Sequence, residues 1–263
     1  MNYLLTGLRA SKVNLLQNDY CGGLPAPTAF LGLAAAVAHD LGLSRWDLSA
    51  LPILHRVDRS NGRLRPAMEV KSDAYVTVEL QEDLTGTVSF SMVLSLPEAR
   101  SEADILAALT GKRLGGGVIF GDVRRMQVIA LSDDPKDLLK APRGYALLPW
   151  YRDGKTEKSF GDPASLRRVA SALWPDDAKD RKGWRVPVAI GFRLLGSPGP
   201  APTGARNMTV PHVFAEPGVG VAELVSIRSP RLTDLSAEDY LALFWSWAPT
   251  QTHVLVHKSY HSL

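Results

Sequence analysis

Apolar and polar positions along this chain follow two different periods. Residues 2–8 alternate in steps of two, with Tyr3, Leu5 and Gly7 on one side, which predicts a strand. Phe30, Leu33, Ala34, Val37, Ala38 and Leu41 recur at i, i+3, i+4, i+7, i+8 and i+11, the apolar stripe of a helix. Pro27 suits its first position and Gly42 its stop. Residues 51–57 predict a second strand, which runs into a turn at Asn61-Gly62. Val88, Phe90, Met92, Leu94 and Leu96 alternate with Ser89, Ser91 and Ser95, a half-buried strand. Ser101, with Asp104 three residues on, opens a second helix that ends near Thr110. Residues 118–120 and 126–131 read as further strand. The order β-α-β-β-α-β predicts an α+β fold with a ferredoxin-like, RNA-recognition-motif-like core over residues 1–135.

The second half is less regular. A short helix is expected from Asp162-Pro163 to Leu173 and a buried strand with an edge proline over residues 183–192. Residues 197–205 are rich in proline and glycine and read as a loop or flexible linker. Ser236 with Asp239 starts a last helix carrying Leu243, Phe244 and Trp247, and residues 252–258 predict a last strand. Trp174, Trp184, Trp245 and Trp247 are expected in the core, where large aromatics usually lie. Residues 136–263 are therefore read as a helical and irregular C-terminal elaboration packed on the core.

Charge placement adds what periodicity does not give. The net charge is only +3. Residues 55–71 hold Arg56, Arg59, Arg63, Arg65 and Lys71 against Asp58 and Glu69, a net +3. Residues 112–125 hold Lys112, Arg113, Arg124 and Arg125 against Asp122, again +3. Without those nine cations and three anions, 21 basic and 24 acidic residues remain. Positive charge confined to two short stretches is the footprint of a local polyanion site. Cys21 is the only cysteine, so an internal disulfide and a cysteine-rich zinc site are both ruled out. No window approaches the roughly 18 apolar residues of a membrane span. The N-terminus lacks the charged start and small-residue cleavage site of a signal peptide. A cytoplasmic protein with no cofactor and no membrane association is expected.

The second basic stretch surrounds Gly115, Gly116 and Gly117. Glycines free the backbone for positive φ and for close approach of a ligand. Exposed backbone N–H groups with flanking cations suit phosphate. Neither the Gly-Lys-Ser/Thr end of a P-loop nor a G-x-G-x-x-G spacing is present, and a plain hairpin turn is the competing reading. Among the histidines (39, 55, 212, 253, 257 and 261) there is no H-E-x-x-H spacing. His253 and His257 share one side of a strand with no carboxylate or cysteine close in sequence, so no metal is assigned to them. His39 lies off the helix stripe and reads as a surface residue.

Several segments, in order along the chain, resemble the Csy-type Cas-five subunit (the second Csy protein) of type I-F CRISPR surveillance complexes. They are residues 22–32 (GGLPAPTAFLG), His55-Arg56, residues 113–119 (RLGGGVI), residues 183–188 (GWRVPV), and the weaker 211–216 (PHVFAE) and 243–245 (LFW). The resemblance implies a non-catalytic RNA-binding subunit with a ferredoxin-like core. Such a subunit holds the 5′ handle of the guide RNA, docks on the large subunit beside the backbone subunits, and lies near target DNA. The chain is shorter than the family pattern between residues 55 and 82 and around residues 147–182. A projecting basic hairpin and a helical insertion are the parts affected.

On this reading Lys112, Arg113, Arg124 and Arg125 contact phosphates around the three glycines, and His55, Arg56, Arg59, Arg63, Arg65 and Lys71 reach a neighbouring part of the guide. His55, Phe30, Trp150 and Tyr151 are candidate stacking groups, with core packing favoured for Phe30. Two alternatives stand beside it. One is a metal-independent endoribonuclease using His55 with Tyr151 or Lys71 as acid and base. The other is a protein-binding scaffold whose basic loops are merely solvated.

Overall fold

The computed structural model describes residues 1–18, 21–60, 68–71, 74–77, 84–120, 125–150, 163–175, 183–205 and 207–257. Strand β1 spans Asn2–Asn14 and helix α1 spans Pro27–Asp40, followed by β2 at Ser49–Arg59. A separate two-stranded hairpin follows, β3 at Met68–Lys71 and β4 at Ala74–Thr77. Next come β5 at Thr85–Ser95, α2 at Glu102–Leu109, β6 at Arg113–Leu114, β7 at Gly117–Phe120 and β8 at Gln127–Leu131. A 3-10 turn at Pro135–Lys140 leads into β9 at Tyr145–Pro149. The last part holds α3 at Pro163–Leu173, β10 at Trp184–Leu194, β11 at Ala215–Ser226, α4 at Pro230–Thr233 and α5 at Ala237–Ala242. The short strands β12 at Trp245–Ser246, β13 at Ala248–Pro249 and β14 at His253–Leu255 follow.

The fold is mixed α/β, a large antiparallel sheet with a few helices. Among the described residues, twelve strands form one sheet in the order β13-β14-β10-β11-β9-β2-β5-β1-β7-β6, with β12 also on β2 and β8 also on β1. The outer edge of β1 is shared. β8 pairs with residues 2–6 and β7 with residues 9–11. Between them Gly7 takes φ +73°, and a side chain there would run into the Arg125 carbonyl. The register of β1 on β5 shifts at the same point. That bulge brings Leu8, rather than Gly7, into the core after Tyr3 and Leu5.

One face of the sheet, here the inner face, packs on α1 and α2. Phe30, Leu33, Ala34, Val37 and Ala38 are buried there against Leu5, Leu8, Val88, Phe90 and Met92, as the stripe predicts. The local signals hold. Pro27 is the first residue of α1, Gly42 has φ +71°, and Ser101 Oγ accepts from the Asp104 N–H. The other, outer face carries a second apolar cluster that includes Leu4, Leu51, Ile53 and Val93, closed by Val225, Ile227, Leu232, Tyr240 and Phe244.

The C-terminal half differs from its expectation. It is largely strand, and β9, β10 and β11 extend the same sheet from β2 outward. The expected strand at residues 183–192 is β10. Pro187 is tolerated within it because β14 pairs only with residues 191–193, leaving that side of the strand unladdered at the proline. The last helix stops at Ala242, and Trp245 enters β12 instead. Trp245 is fully buried and its Nε1–H donates to the Leu147 carbonyl at 2.7 Å. Trp174 and Trp184 were expected in the core, yet they are 67% and 63% exposed, because both lie beyond the edge of the apolar cluster.

Candidate nucleic-acid interface

The three glycines form a tight hairpin between β6 and β7. Leu114 pairs with Gly117, leaving Gly115 and Gly116 as a two-residue turn with φ +51° and +81°. Positive φ at both positions is the type I′ geometry that matches the twist of the flanking strands. Gly117 has a different reason. A Cβ there would lie 2.6 Å from the Ser11 carbonyl oxygen and 2.7 Å from the Val13 nitrogen. The glycine lets β7 lie against β1. The Gly115 carbonyl accepts from Asn14 N–H at 3.0 Å, which ties the turn to the end of β1. All three glycines therefore have a role in the fold itself.

The cations around the hairpin separate. The Lys112 ammonium is largely covered and pairs with Asp40 at the end of α1, which holds that carboxyl below its usual range. Arg113 is exposed and donates from Nη1 to the Gly116 carbonyl at 3.2 Å. Arg125 is exposed beside the Gly7 bulge. Arg124 lies outside the described residues, as do Arg63 and Arg65, and the side chain of Lys71 on β3 is not described.

Strand register gathers part of the other basic stretch on the outer face. Phe120 of β7 pairs with Arg9 of β1, Arg9 with Ser89 of β5, and Ser89 with Arg56 of β2. Arg113 pairs with Val118 and Val118 with Ser11, the adjacent row of the same face. Arg9, Arg56, Arg113, Val118 and Phe120 are exposed. Ala10, Val88 and Val57, one residue along, turn to the inner face and its core. The same alternation sends Arg59 to the side opposite Asp58 and Arg56. Arg56 Nε lies 2.7 Å from an Asp58 carboxylate oxygen, an ion pair on the strip.

His55 stands where the uncovered strip meets the outer apolar cluster. Its Nδ1 is 3.0 Å from the Arg143 carbonyl, which can only accept, so Nδ1 carries a proton. Nε2 is 2.7 Å from Ser91 Oγ, itself 3.0 Å from Thr6 Oγ1. Burial pushes the imidazole pKa down, opposed by the Arg143 bond. Both ring nitrogens are thus engaged within the protein. Gly144 permits this arrangement, since a Cβ there would stand 2.6 Å from His55 Nδ1.

Of the other stacking candidates, Phe30 is fully buried with its edge on Phe90, ring centroids 5.6 Å apart, and is a core residue. Trp150 follows β9, remote in strand order from the glycine hairpin, with the Arg185 guanidinium 4.8 Å from its ring centre. Tyr151 lies outside the described residues. His257 is buried and its Nε2 meets the Ala242 carbonyl at 2.9 Å, while His253 Nδ1 meets Thr252 Oγ1 at 2.8 Å. Among the described residues, no three His, Cys, Asp or Glu side chains converge on a metal position. None of the described helices is long and apolar enough to cross a membrane.

Sequence reasoning missed Arg9 and Phe120. The signal was there, in that β1 continues to alternate past Leu8, but the Gly7 bulge interrupts its parity.

A family model described as CRISPR-associated protein Cas_Csy2 matches residues 153–256. The match covers β10, β11, α4, α5 and the closing strands, and includes three of the segments that carried the resemblance: 183–188, 211–216 and 243–245. No curated protein matches the chain.

Proposed function

We propose that this chain, identified by its family match as a Csy2-type Cas subunit of the type I-F CRISPR system and so a member of a multisubunit CRISPR complex, is its non-catalytic RNA-binding subunit. It holds the 5′ handle of the guide RNA and docks the large subunit. The observation that carries the reading is the uncovered outer face, where Arg113, Arg9 and Arg56 come together across β6, β1 and β2. Cations spaced along an extended, hydroxyl-rich surface suit the backbone of a single strand. The strand order β8-β1-β5-β2, antiparallel throughout and backed by α1 and α2, is what supports a ferredoxin-like core. His55 supports the absence of catalysis, because both its nitrogens are already bonded within the protein.

The test is RNA binding by the purified chain across a salt series. Replacing Arg113 and Arg125 by Gln is expected to weaken binding of repeat RNA and lower the salt slope by about 0.7 per lost contact. Unchanged affinity and slope would remove these residues from the interface. Repeat RNA should survive incubation intact, and cleavage that vanishes in His55→Ala would favour the endoribonuclease.

A further inference from the structure

Arg9 belongs to neither basic stretch of the sequence, yet it occupies the middle of the uncovered face. Its guanidinium carbon lies 5.3 Å from the centre of the Phe120 ring, a cation–π contact. Among the described residues it has no carboxylate partner. Asp58, on the same strip, is held by Arg56. Phe120 and Val118 are 39% and 47% exposed, large apolar groups on an otherwise polar face. Ser89 and Ser11 flank the pair with hydroxyls.

We propose that the Arg9 guanidinium, stacked on Phe120, is a seat for one unstacked nucleobase of a single-stranded RNA. The inference rests on the RNA-binding reading above and specifies one position within it. A planar cation held against an aromatic ring has one face occupied and the other free. The free face suits a base, since bases stack on Arg planes as on aromatic side chains. The hydroxyls of Ser89 and Ser11 are placed for the sugar or the base edge. Arg113 and Arg56, one on each side in strand order, are placed for the phosphates before and after. A site for an acidic protein needs only charge. An exposed Phe and Val beside an Arg with no carboxylate partner among the described residues are better matched to stacking.

The experiment uses the full chain and a 3′-fluorescein-labelled single-stranded RNA copied from the CRISPR repeat segment that precedes the spacer. Anisotropy titrations are run with this RNA and with variants carrying one abasic residue at each position in turn. In the wild-type protein one abasic position is expected to weaken binding by about tenfold. In Arg9→Gln, that same position should make no further difference, because the seat is already lost. Arg9→Lys keeps the charge and the salt slope but should lose the same tenfold, and Phe120→Leu should lose part of it. These side chains are exposed, so the fold is expected to persist, which circular dichroism checks.

If the wild-type chain binds the RNA but no position couples to Arg9, the seat is refuted and the broader RNA reading stands. If Arg9→Lys binds like wild type, Arg9 acts as a point charge and the seat is refuted. If Arg9→Gln leaves RNA binding intact but abolishes co-purification of other complex subunits, the strip is a protein interface. A wild-type chain that binds no RNA overturns both proposals.

Discussion

Replacing Gly117 by Ala separates a structural role for the glycine run from a ligand-binding one. The added Cβ would meet three backbone atoms of β1, at 2.6 Å from Ser11 O, 2.7 Å from Val13 N and 2.8 Å from Val13 Cα. Backbone cannot rotate away as a side chain can. β1 is held by β5 on its other side, with Ala10 and Val13 fully buried, so β7 must be the element that moves. Overpacking of this kind costs about 3 kcal/mol. Gly116→Ala is the control. Its Cβ would meet nothing within 4 Å, and only the positive φ of +81° opposes it, at about 1 kcal/mol. For a chain of this size each kcal/mol moves Tm by roughly 2–4 °C. Thermal melts followed by circular dichroism should therefore show Gly117→Ala lower by roughly 6–12 °C and Gly116→Ala by only about 2–4 °C. RNA affinity measured well below both transitions should follow the cations rather than the glycines. Equal melting of the two variants would refute the close-approach argument. A Gly116→Ala protein of wild-type stability that no longer binds RNA would restore the turn itself as a phosphate cradle.

Two further predictions concern buried charge. Burial depresses the His55 pKa, so the unfolded chain takes up a proton first as pH falls through about 6.5, the ordinary histidine value. Stability is expected to drop from there downward until the folded pKa is passed, and His55→Gln should flatten that part of the urea midpoint profile between pH 7.5 and 5.5; parallel profiles would refute the assignment. The Arg231 guanidinium grips Glu223 through two 2.9 Å bonds, with the arginine side chain 60% exposed and the carboxylate buried. Arg231→Ala strands the carboxylate and should cost about 3 kcal/mol, whereas Glu223→Gln frees a guanidinium that water can reach and should cost about 1 kcal/mol; denaturant midpoints in the reverse order would refute this asymmetry.

What the sequence made legible was local. The α1 stripe, Pro27 at its start and the Ser101 cap each depend on residues within one or two helical turns, and each holds. What it hid depends on contacts distant in sequence. No strand is predicted over residues 215–226, where Pro217, Gly218 and Gly220 obscure the alternation; ten register pairs with β10 make that segment β11. The glycine run reads equally as phosphate loop or turn, because φ and the nearness of β1 are not written in composition. The basic stretches were visible as charge, but strand parity divides them, with Arg56 on the outer face and Arg59 on the inner. Arg9 drew no attention because the first strand was expected to end at Leu8, and its neighbours Phe120 and Ser89 are 111 and 80 residues away in the chain.

The extent of the open strip follows from the same alternation. On the outer face β5 runs Val93, Ser91, Ser89, Thr87, apolar for one position and hydroxyl-bearing for the next three. Val93 lies level with Leu4 and Leu51, and these apolar groups gain about 1.5–3 kcal/mol each when removed from water. That burial is supplied by Val225, Ile227, Tyr240 and Phe244, from the half of the chain that carries the family match. Cover extended further would trap Arg9 and Arg56 in an apolar environment, at a cost no packing there repays. Cover must therefore stop near Ser91, where His55 and Thr6 complete a buried polar row. The C-terminal half thus fixes where the dry face ends, and the N-terminal half determines what is left facing outward.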